Sequence, residues 1–286
     1  MKREIEKAKV LIEALPYIRR FAGSIVVIKY GGNAMSDPAI KQSTIKDIAM
    51  MKMIGMRPVV IHGGGPSISA LLEKLGKKST FVDGLRVTDR ETALIAEMVL
   101  SGSISKDLVQ SLQSEGIDAV GINGKDGQTL LARKKEVEGH DIGFVGEVVR
   151  VKTALLKSLI EQDFIPVISP IGTDKEGNTY NINADYAASA IAGALNAQKL
   201  VFLTDVEGIL RDVEDPTSRF SQLTLKEAES FLKDGTIKGG MIPKTECCIE
   251  GIKRGVRSVH ILDGRISHAL LLEIFTNEGI GTMLIP

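Results

Sequence analysis

Apolar residues follow two alternating patterns along this chain. Short runs rich in Val and Ile, at 25–30, 58–61, 119–122, 165–169, 200–203, 259–262 and 282–285, read as strands. Most are apolar at consecutive positions, which fits strands covered on both faces. Elsewhere apolar positions recur every three or four residues. These stretches, at 40–54, 67–75, 91–100, 105–114, 154–162, 185–195, 226–233, 243–253 and 267–275, read as helices. The alternation predicts an α/β fold: a three-layer αβα sandwich with a mainly parallel central sheet. Residues 143–152 look more like a hairpin or an insertion than a βα unit. A lobe boundary is expected near residue 195. It divides the chain into an N-terminal helix (1–20), an N-terminal lobe (21–195) and a C-terminal lobe (196–286).

The N-terminal helix stands outside this alternation. Ile5, Ala8, Ile12 and Leu15 share one helical face. Pro16 is expected to end or bend the helix. A lone helix this short is marginal in water, so its stripe must dock on the body of the chain or on another subunit.

Composition acts mainly by exclusion. Of 286 residues, 43% are hydrophobic, enough for a sizeable core and too many for disorder. Formal net charge is zero and no long basic run occurs, so nucleic acid and membrane surfaces are poor partners. The two cysteines, Cys247 and Cys248, are adjacent and have no others to pair with. They read as small core residues of a protein in a reducing, cytoplasmic compartment. Neither a signal-peptide core nor an 18-residue apolar span is present. Walker A, dinucleotide, protein-kinase, hydrolase-elbow and zinc-helix motifs are all missing. The four histidines lack metal-ligand spacing, and no protein metal site is expected.

What remains is a set of glycine loops and misplaced charges. The first strand ends Lys29-Tyr30-Gly31-Gly32, and the second ends His62-Gly63-Gly64-Gly65-Pro66. Consecutive glycines at the carboxyl end of a strand let backbone N–H groups approach an anion, where open α/β sheets bind ligands. Lys29 lies near the end of an apolar strand, where a charge needs a partner or a cleft, unless it snorkels to the surface. Arg86 follows a turn glycine and suits a carboxylate, or an ordinary surface ion pair. Asn181, Asn183 and Asp185 precede an apolar helix. They serve as caps, as polar ligands, or as both. Thr204, Asp205 and Gly208 follow another apolar strand. Lys244 sits in a first helical turn after Lys238, Gly240 and Met241, where the helix dipole disfavours a cation. Two anion-cradling loops, two lysines and an acidic organiser suggest phosphoryl transfer, which needs alignment and positive charge more than covalent help.

These motifs, in this order, resemble the amino-acid kinase family, and within it the branch that phosphorylates N-acetyl-L-glutamate. The resemblance runs from about residue 17 to 283. Its most specific elements are His62-Gly-Gly-Gly-Pro, Gly84-Leu-Arg-Val-Thr, Tyr180-Asn-Ile-Asn-Ala-Asp and Gly240-Met-Ile-Pro-Lys. It implies that Lys29 and Lys244 flank the moving phosphoryl group and that Asp185 holds both. It implies phosphate contacts from Gly31, Gly32, Gly64 and Gly65. Arg86, Asn181 and Asn183 would bind N-acetyl-L-glutamate. ATP would lie around Thr204, Asp205, Gly208 and 238–241, bringing Mg²⁺ held largely by its phosphates.

The N-terminal helix and the tail resemble those of arginine-inhibited members, in which the helix interlaces dimers into a hexamer, a trimer of dimers. On that basis an arginine site is expected at Tyr17, Lys199, His260, Glu273, Gly279 and Gly281. Some members also bind a signalling protein of the P-II type. The alternatives are a sister enzyme, such as glutamate 5-kinase or carbamate kinase, and a non-catalytic arginine- or nucleotide-sensing module.

Overall fold

The computed structural model describes residues 2–35, 37–212, 215–276 and 279–286. The chain opens with α1 (Lys2–Phe21), β1 (Ile25–Tyr30), α2 (Pro38–Met53), β2 (Arg57–His62) and α3 (Gly65–Lys74). A short hairpin follows, β3 (Phe81–Val82) and β4 (Leu85–Arg86). Next come α4 (Arg90–Glu97), a π-helical segment (Met98–Ile104) and α5 (Ser105–Ser114). Then follow β5 (Ala119–Asn123), β6 (Leu130–Lys134), β7 (Val145–Val151), α6 (Ala154–Glu161), β8 (Ile165–Ser169), β9 (Ile171–Thr173) and β10 (Thr179–Ile182). The rest is α7 (Ala184–Ala194), β11 (Lys199–Thr204), β12 (Gln222–Thr224), α8 (Leu225–Lys233), α9 (Met241–Lys253), β13 (Ser258–Asp263), α10 (Ala269–Ile274) and β14 (Thr282–Ile285).

Eight strands form one sheet in the order β12-β14-β13-β11-β1-β2-β8-β5. Every neighbouring pair is parallel except β13 with β14. The expected three-layer, mainly parallel sandwich is the fold observed. Side chains leave a strand alternately to its two faces. Val26, Ile28 and Tyr30 of β1 join the core under α2, α3, α5 and α10, whereas Val27 joins the core under α6, α7, α8 and α9. Lys29 has the parity of Val27, so β1 aims it at the α7 layer.

Residues 143–152 hold β7, the second arm of an antiparallel hairpin with β6, as expected. β7 closes a small barrel with β6, β9 and β10. Those strands are three to seven residues long, too short to leave a clear period in the sequence. The barrel buries Leu130, Ala132, Tyr180 and Ile182 against the α7 side and carries the Asn181 region to the sheet's edge.

Pro16 does not end the first helix, which runs through it to Phe21. Proline costs its helix one hydrogen bond and clashes with the preceding turn. Burial of Phe21 and packing of Tyr17 against the main core outweigh that cost. Of the expected stripe, Ile5, Ile12 and Leu15 are exposed, and the Ala8 side chain lies outside the described residues.

Candidate active site

Both glycine loops sit at the carboxyl edge of the sheet, on the neighbouring strands β1 and β2. They are tied together, since Gly63 N–H donates to Tyr30 O at 2.8 Å. One cleft runs between them, the β3–β4 hairpin and the start of α7. Among its lining residues are Lys29, Gly31, Gly32, Gly64, Gly65, Arg86, Asn181, Asn183 and Asp185.

Lys29 Nζ lies 3.0 Å from Asp185 Oδ1, with both side chains mostly buried. The pairing follows from the alternation of β1 and from the start of α7. Asn183 caps that helix, accepting from Asp185 N–H at 2.8 Å, which puts Asp185 in its first turn. A carboxylate there is favoured by the helix dipole. Capping, one of the two readings of Asn183, is therefore observed, and its residue also lines the cleft.

Lys244 behaves differently from expectation. It is half-buried in the first turn of α9 and makes no ion pair with Asp185. The physical reason is where its helix packs. α9 buries Cys247 and Cys248 in the α7 layer, and that fixes its first turn beyond pairing distance. Lys244 is still near enough to act on the same group: burial chiefly pushes up the thiol pKa of Cys247, Asp185 and Glu246 raise it further, and Lys244 and Lys29 both lower it. The expected three-way clamp is thus a Lys29–Asp185 pair with Lys244 close by.

Arg86 is 6% exposed and held from three sides. Nη1 donates to Ser79 Oγ at 2.5 Å, and Nη2 donates to Gly65 O at 2.8 Å and Ser69 Oγ at 2.9 Å. The Phe81 ring lies 4.8 Å from its guanidinium carbon. Guanidinium carries five N–H donors, so two remain without a partner among the described residues, on a side chain that lines the cleft. Burial lowers its pKa from an already high value, and it stays charged.

The remaining expected residues lie along the other half of the sheet edge. Thr204 ends β11, and Asp205 follows it. Asp205 approaches the first glycine loop so closely that a Cβ on Gly32 would lie 2.5 Å from its Oδ1. Gly208 has a φ of 147° and abuts Thr282 and Arg219. Lys238 is exposed, Gly240 precedes α9, and Met241 packs against the α7-side core. None of these lines the cleft itself. Among the described residues no cluster of His, Cys, Asp and Glu could hold a metal ion.

A second polar cluster forms at the opposite edge of the sheet. Lys199 begins β11 and pairs in register with Ser258, two residues before His260. Lys199 Nζ lies 3.0 Å from His260 Nε2, and His260 Nδ1 lies 2.6 Å from Glu273 Oε1. Glu273 Oε2 accepts from Ile280 N–H at 2.7 Å and Gly281 N–H at 3.2 Å, and Gly279 lies against it. Tyr17 meets Phe275 edge-on nearby. The six residues expected to bind arginine therefore come from four elements, α1, β11, β13 and α10, and from the loop before β14. Burial, reinforced by Arg20 and opposed by Glu273, holds Lys199 down at about 8.

Sequence reasoning missed the supports of this site. Ser69, Ser79 and Phe81 carry no motif; only their contact with Arg86 reveals them. His62 lies inside the His62-Gly-Gly-Gly-Pro motif, but the sequence marks its neighbours and not its ring, whose partner Ser169 is 107 residues away.

Residues 24–263 match the amino acid kinase family. The chain belongs to this family. Among its relatives, the acetylglutamate kinase of Caldanaerobacter subterraneus subsp. tengcongensis is 53% identical, covering 98% of this chain and 94% of its own length. That of Methanocaldococcus jannaschii is also 53% identical, covering 98% and 96%. Among solved structures, the N-acetylglutamate synthase of Neisseria gonorrhoeae, complexed with coenzyme A and N-acetyl-glutamate, superposes with a TM-score of 0.86 at 28% identity. The match covers 98% of this amino acid kinase, which spans 63% of that synthase's length. The same synthase has been solved with coenzyme A and L-arginine, matching with a TM-score of 0.81 at 26% identity. Among the described residues no helix is long and apolar enough to cross a membrane.

Proposed function

We propose that this amino acid kinase transfers the γ-phosphate of ATP to the γ-carboxylate of N-acetyl-L-glutamate, giving N-acetyl-L-glutamyl 5-phosphate, the second step of arginine biosynthesis. One observation carries the reading: a single cleft joins the Lys29–Asp185 pair, two glycine loops and an arginine with donors to spare. The half-identical acetylglutamate kinases support the same substrate.

The attacking group is a carboxylate with an ordinary pKa near ~4.3, ionised at neutral pH. No general base is needed, and the cleft offers no histidine with a free ring nitrogen. Arg86 clamps the α-carboxylate, and Asn181 and Asn183 face the backbone and acetamido groups. The N–H groups of Gly31, Gly32, Gly64 and Gly65 receive the phosphate oxygens. Lys29, oriented by Asp185, and Lys244 neutralise charge on the phosphoryl group in flight. The lobe before residue 195 holds the amino acid. The lobe after it holds the nucleotide, around Thr204, Asp205, Gly208 and 238–241. The glycine loops fit this role because a side chain on Gly31 or Gly32 would fill the space beside Lys29 and Asp205. Mg²⁺ would neutralise the nucleotide phosphates, held by them and by water.

The cluster of Lys199, His260 and Glu273 is the proposed site of feedback by arginine, with Glu273 facing its guanidinium. The exposed apolar side chains Ile5, Ile12 and Leu15 support an α1 that interlaces subunits of a hexamer. The buried, unpaired cysteines support a cytoplasmic enzyme.

ADP release measured with N-acetyl-L-glutamate, unacetylated glutamate and carbamate, with and without arginine, tests the reading. Turnover of glutamate or carbamate above N-acetyl-L-glutamate would overturn it, and indifference to millimolar arginine would remove the feedback. Deleting residues 1–15 should shrink the oligomer in sedimentation; an unchanged size would count against interlacing.

A further inference from the structure

His62 ends β2, is fully buried, and touches nothing that reacts. A buried imidazole costs free energy unless both ring nitrogens are satisfied. Here Nδ1 lies 2.8 Å from Gly63 O, and Nε2 lies 2.9 Å from Ser169 Oγ. A carbonyl only accepts, so Nδ1 must carry the proton. Nε2 is then bare and accepts from the Ser169 hydroxyl. Burial pushes the ring's pKa down to about 4 against the pull of the Gly63 hydrogen bond, so it stays neutral in this one tautomer.

The carbonyl it grips belongs to the peptide unit that ends in Gly64 N–H. That unit is planar and trans, so its C=O and N–H point in opposite directions. Fixing Gly63 O on one side therefore aims Gly64 N–H at the other. Gly64 lines the cleft, and its N–H has no hydrogen-bond partner among the described residues. The next two carbonyls are also held. Gly64 O accepts from Ile68 N–H at 3.1 Å, and Gly65 O accepts from Arg86 at 2.8 Å. Three consecutive carbonyls are thus tied down, and the first tie is His62. A side chain on Gly64 would strike Leu100 and Ile104 of the π-helical segment, so the loop cannot retreat from that side.

We propose that His62 is a positioning residue for the reaction: its neutral Nδ1–H tautomer, set by Ser169, orients the Gly63–Gly64 peptide so that Gly64 N–H points at the transferring phosphoryl group. This rests on the function proposed above.

Two substitutions separate this role from packing. His62→Asn keeps a donor near the place of Nδ1, while His62→Gln moves its amide out to the place of Nε2. Misaiming one donor at a developing charge should cost His62→Gln about 10²-fold in kcat. KM for ATP should stay within about twofold, and His62→Asn should recover to within about fivefold of wild type. Equal impairment of both folded variants, or near-native kcat in His62→Gln, would overturn the proposal.

A measurement on the wild-type protein guards against variants that fail to fold. ¹⁵N NMR of the His62 ring at neutral pH should show a protonated Nδ1 and a bare Nε2. The reversed tautomer would refute the proposal whatever the substrate. Wild-type protein with the expected tautomer but no turnover of N-acetyl-L-glutamate would instead sink the functional reading.

Discussion

The two polar clusters of this molecule each join a lysine to a carboxylate, directly in one and through a histidine in the other. In the cleft, Lys29 meets Asp185 directly, and among the described residues the surrounding donors are left uncommitted: Gly64 N–H has no partner, and Arg86 keeps two N–H groups in reserve. At the other edge of the sheet, nearly everything is satisfied internally. His260 stands between Lys199 and Glu273, Ser258 Oγ lies 2.9 Å from its Nε2, and Glu273 also accepts from two tail N–H groups. A site with uncommitted donors is organised in advance for charge that arrives during reaction. A site with committed donors binds a new cation only by rearranging its own bonds. That behaviour fits the arginine feedback proposed for this cluster, which requires that one of two conformations be favoured.

The largest effect expected from breaking this contrast is at Lys29. Lys29→Met should lower kcat by about 10³-fold and also cost stability, because it leaves the mostly buried Asp185 carboxylate unpaired; Lys244→Ala should cost about 10² in kcat. Steady-state kinetics beside thermal unfolding would check both. If Lys29→Met kept its rate, the cleft would lose its claim to the chemistry. Asp185→Asn should lose rate and also stability, because it leaves a mostly buried ammonium unpaired.

Arg86→Lys comes next. A lysine cannot reproduce the planar fork gripped by Ser69, Ser79 and Gly65. KM for N-acetyl-L-glutamate should rise about 10- to 100-fold, with a smaller change in kcat. A variant with unchanged KM would move the carboxylate clamp elsewhere.

A pH effect of intermediate size follows from His62. Its folded pKa is depressed from 6.5 to about 4, so the unfolded chain binds the proton more readily over that window. Stability is therefore fully present above 6.5 and is lost as pH falls toward 4. Between pH 7 and 5 this residue alone should contribute a loss of ~2 kcal/mol. Denaturant unfolding of wild type and His62→Asn at both pH values would isolate it.

The smallest expected effect belongs to the second cluster. Glu273→Gln should weaken arginine inhibition by at least about tenfold, within the usual range of coupling between sites. Rates without arginine should change by less than about threefold if the two regions are as separate as their geometry implies. An equal loss of both would merge them into one site.

Much of the fold was legible because its signals are local. The strands at 25–30, 165–169 and 282–285 were read to the residue, since each is a run of apolar side chains bounded by turns. Most helix ends lie within two residues of those expected, where caps such as Asp37 and Asn183 decide the boundary; α4 ends three residues early, at Glu97. The barrel of β6, β7, β9 and β10 was not legible. Its strands are stabilised by closing on one another, and no single one carries enough periodicity. The π-helical segment Met98–Ile104 was not legible either: the pattern gives a helix over 91–100, a gap and a second helix over 105–114, because Ser101, Gly102 and Ser103 interrupt the apolar spacing.

The amino-acid order alone placed glycines at the ends of two apolar strands, a lysine on one of them and a carboxylate at the head of a helix. Those are consequences of period-two and period-3.6 patterns, which need no knowledge of distant residues. Only the packed structure decided that Asp185 takes Lys29 and not Lys244, that Ser69, Ser79 and Phe81 share Arg86, and that a buried histidine aims a peptide. Such pairings join positions up to 156 residues apart, as with Lys29 and Asp185 (185 − 29). They depend on which helix face packs on which strand, and that information exists only once the layers have closed.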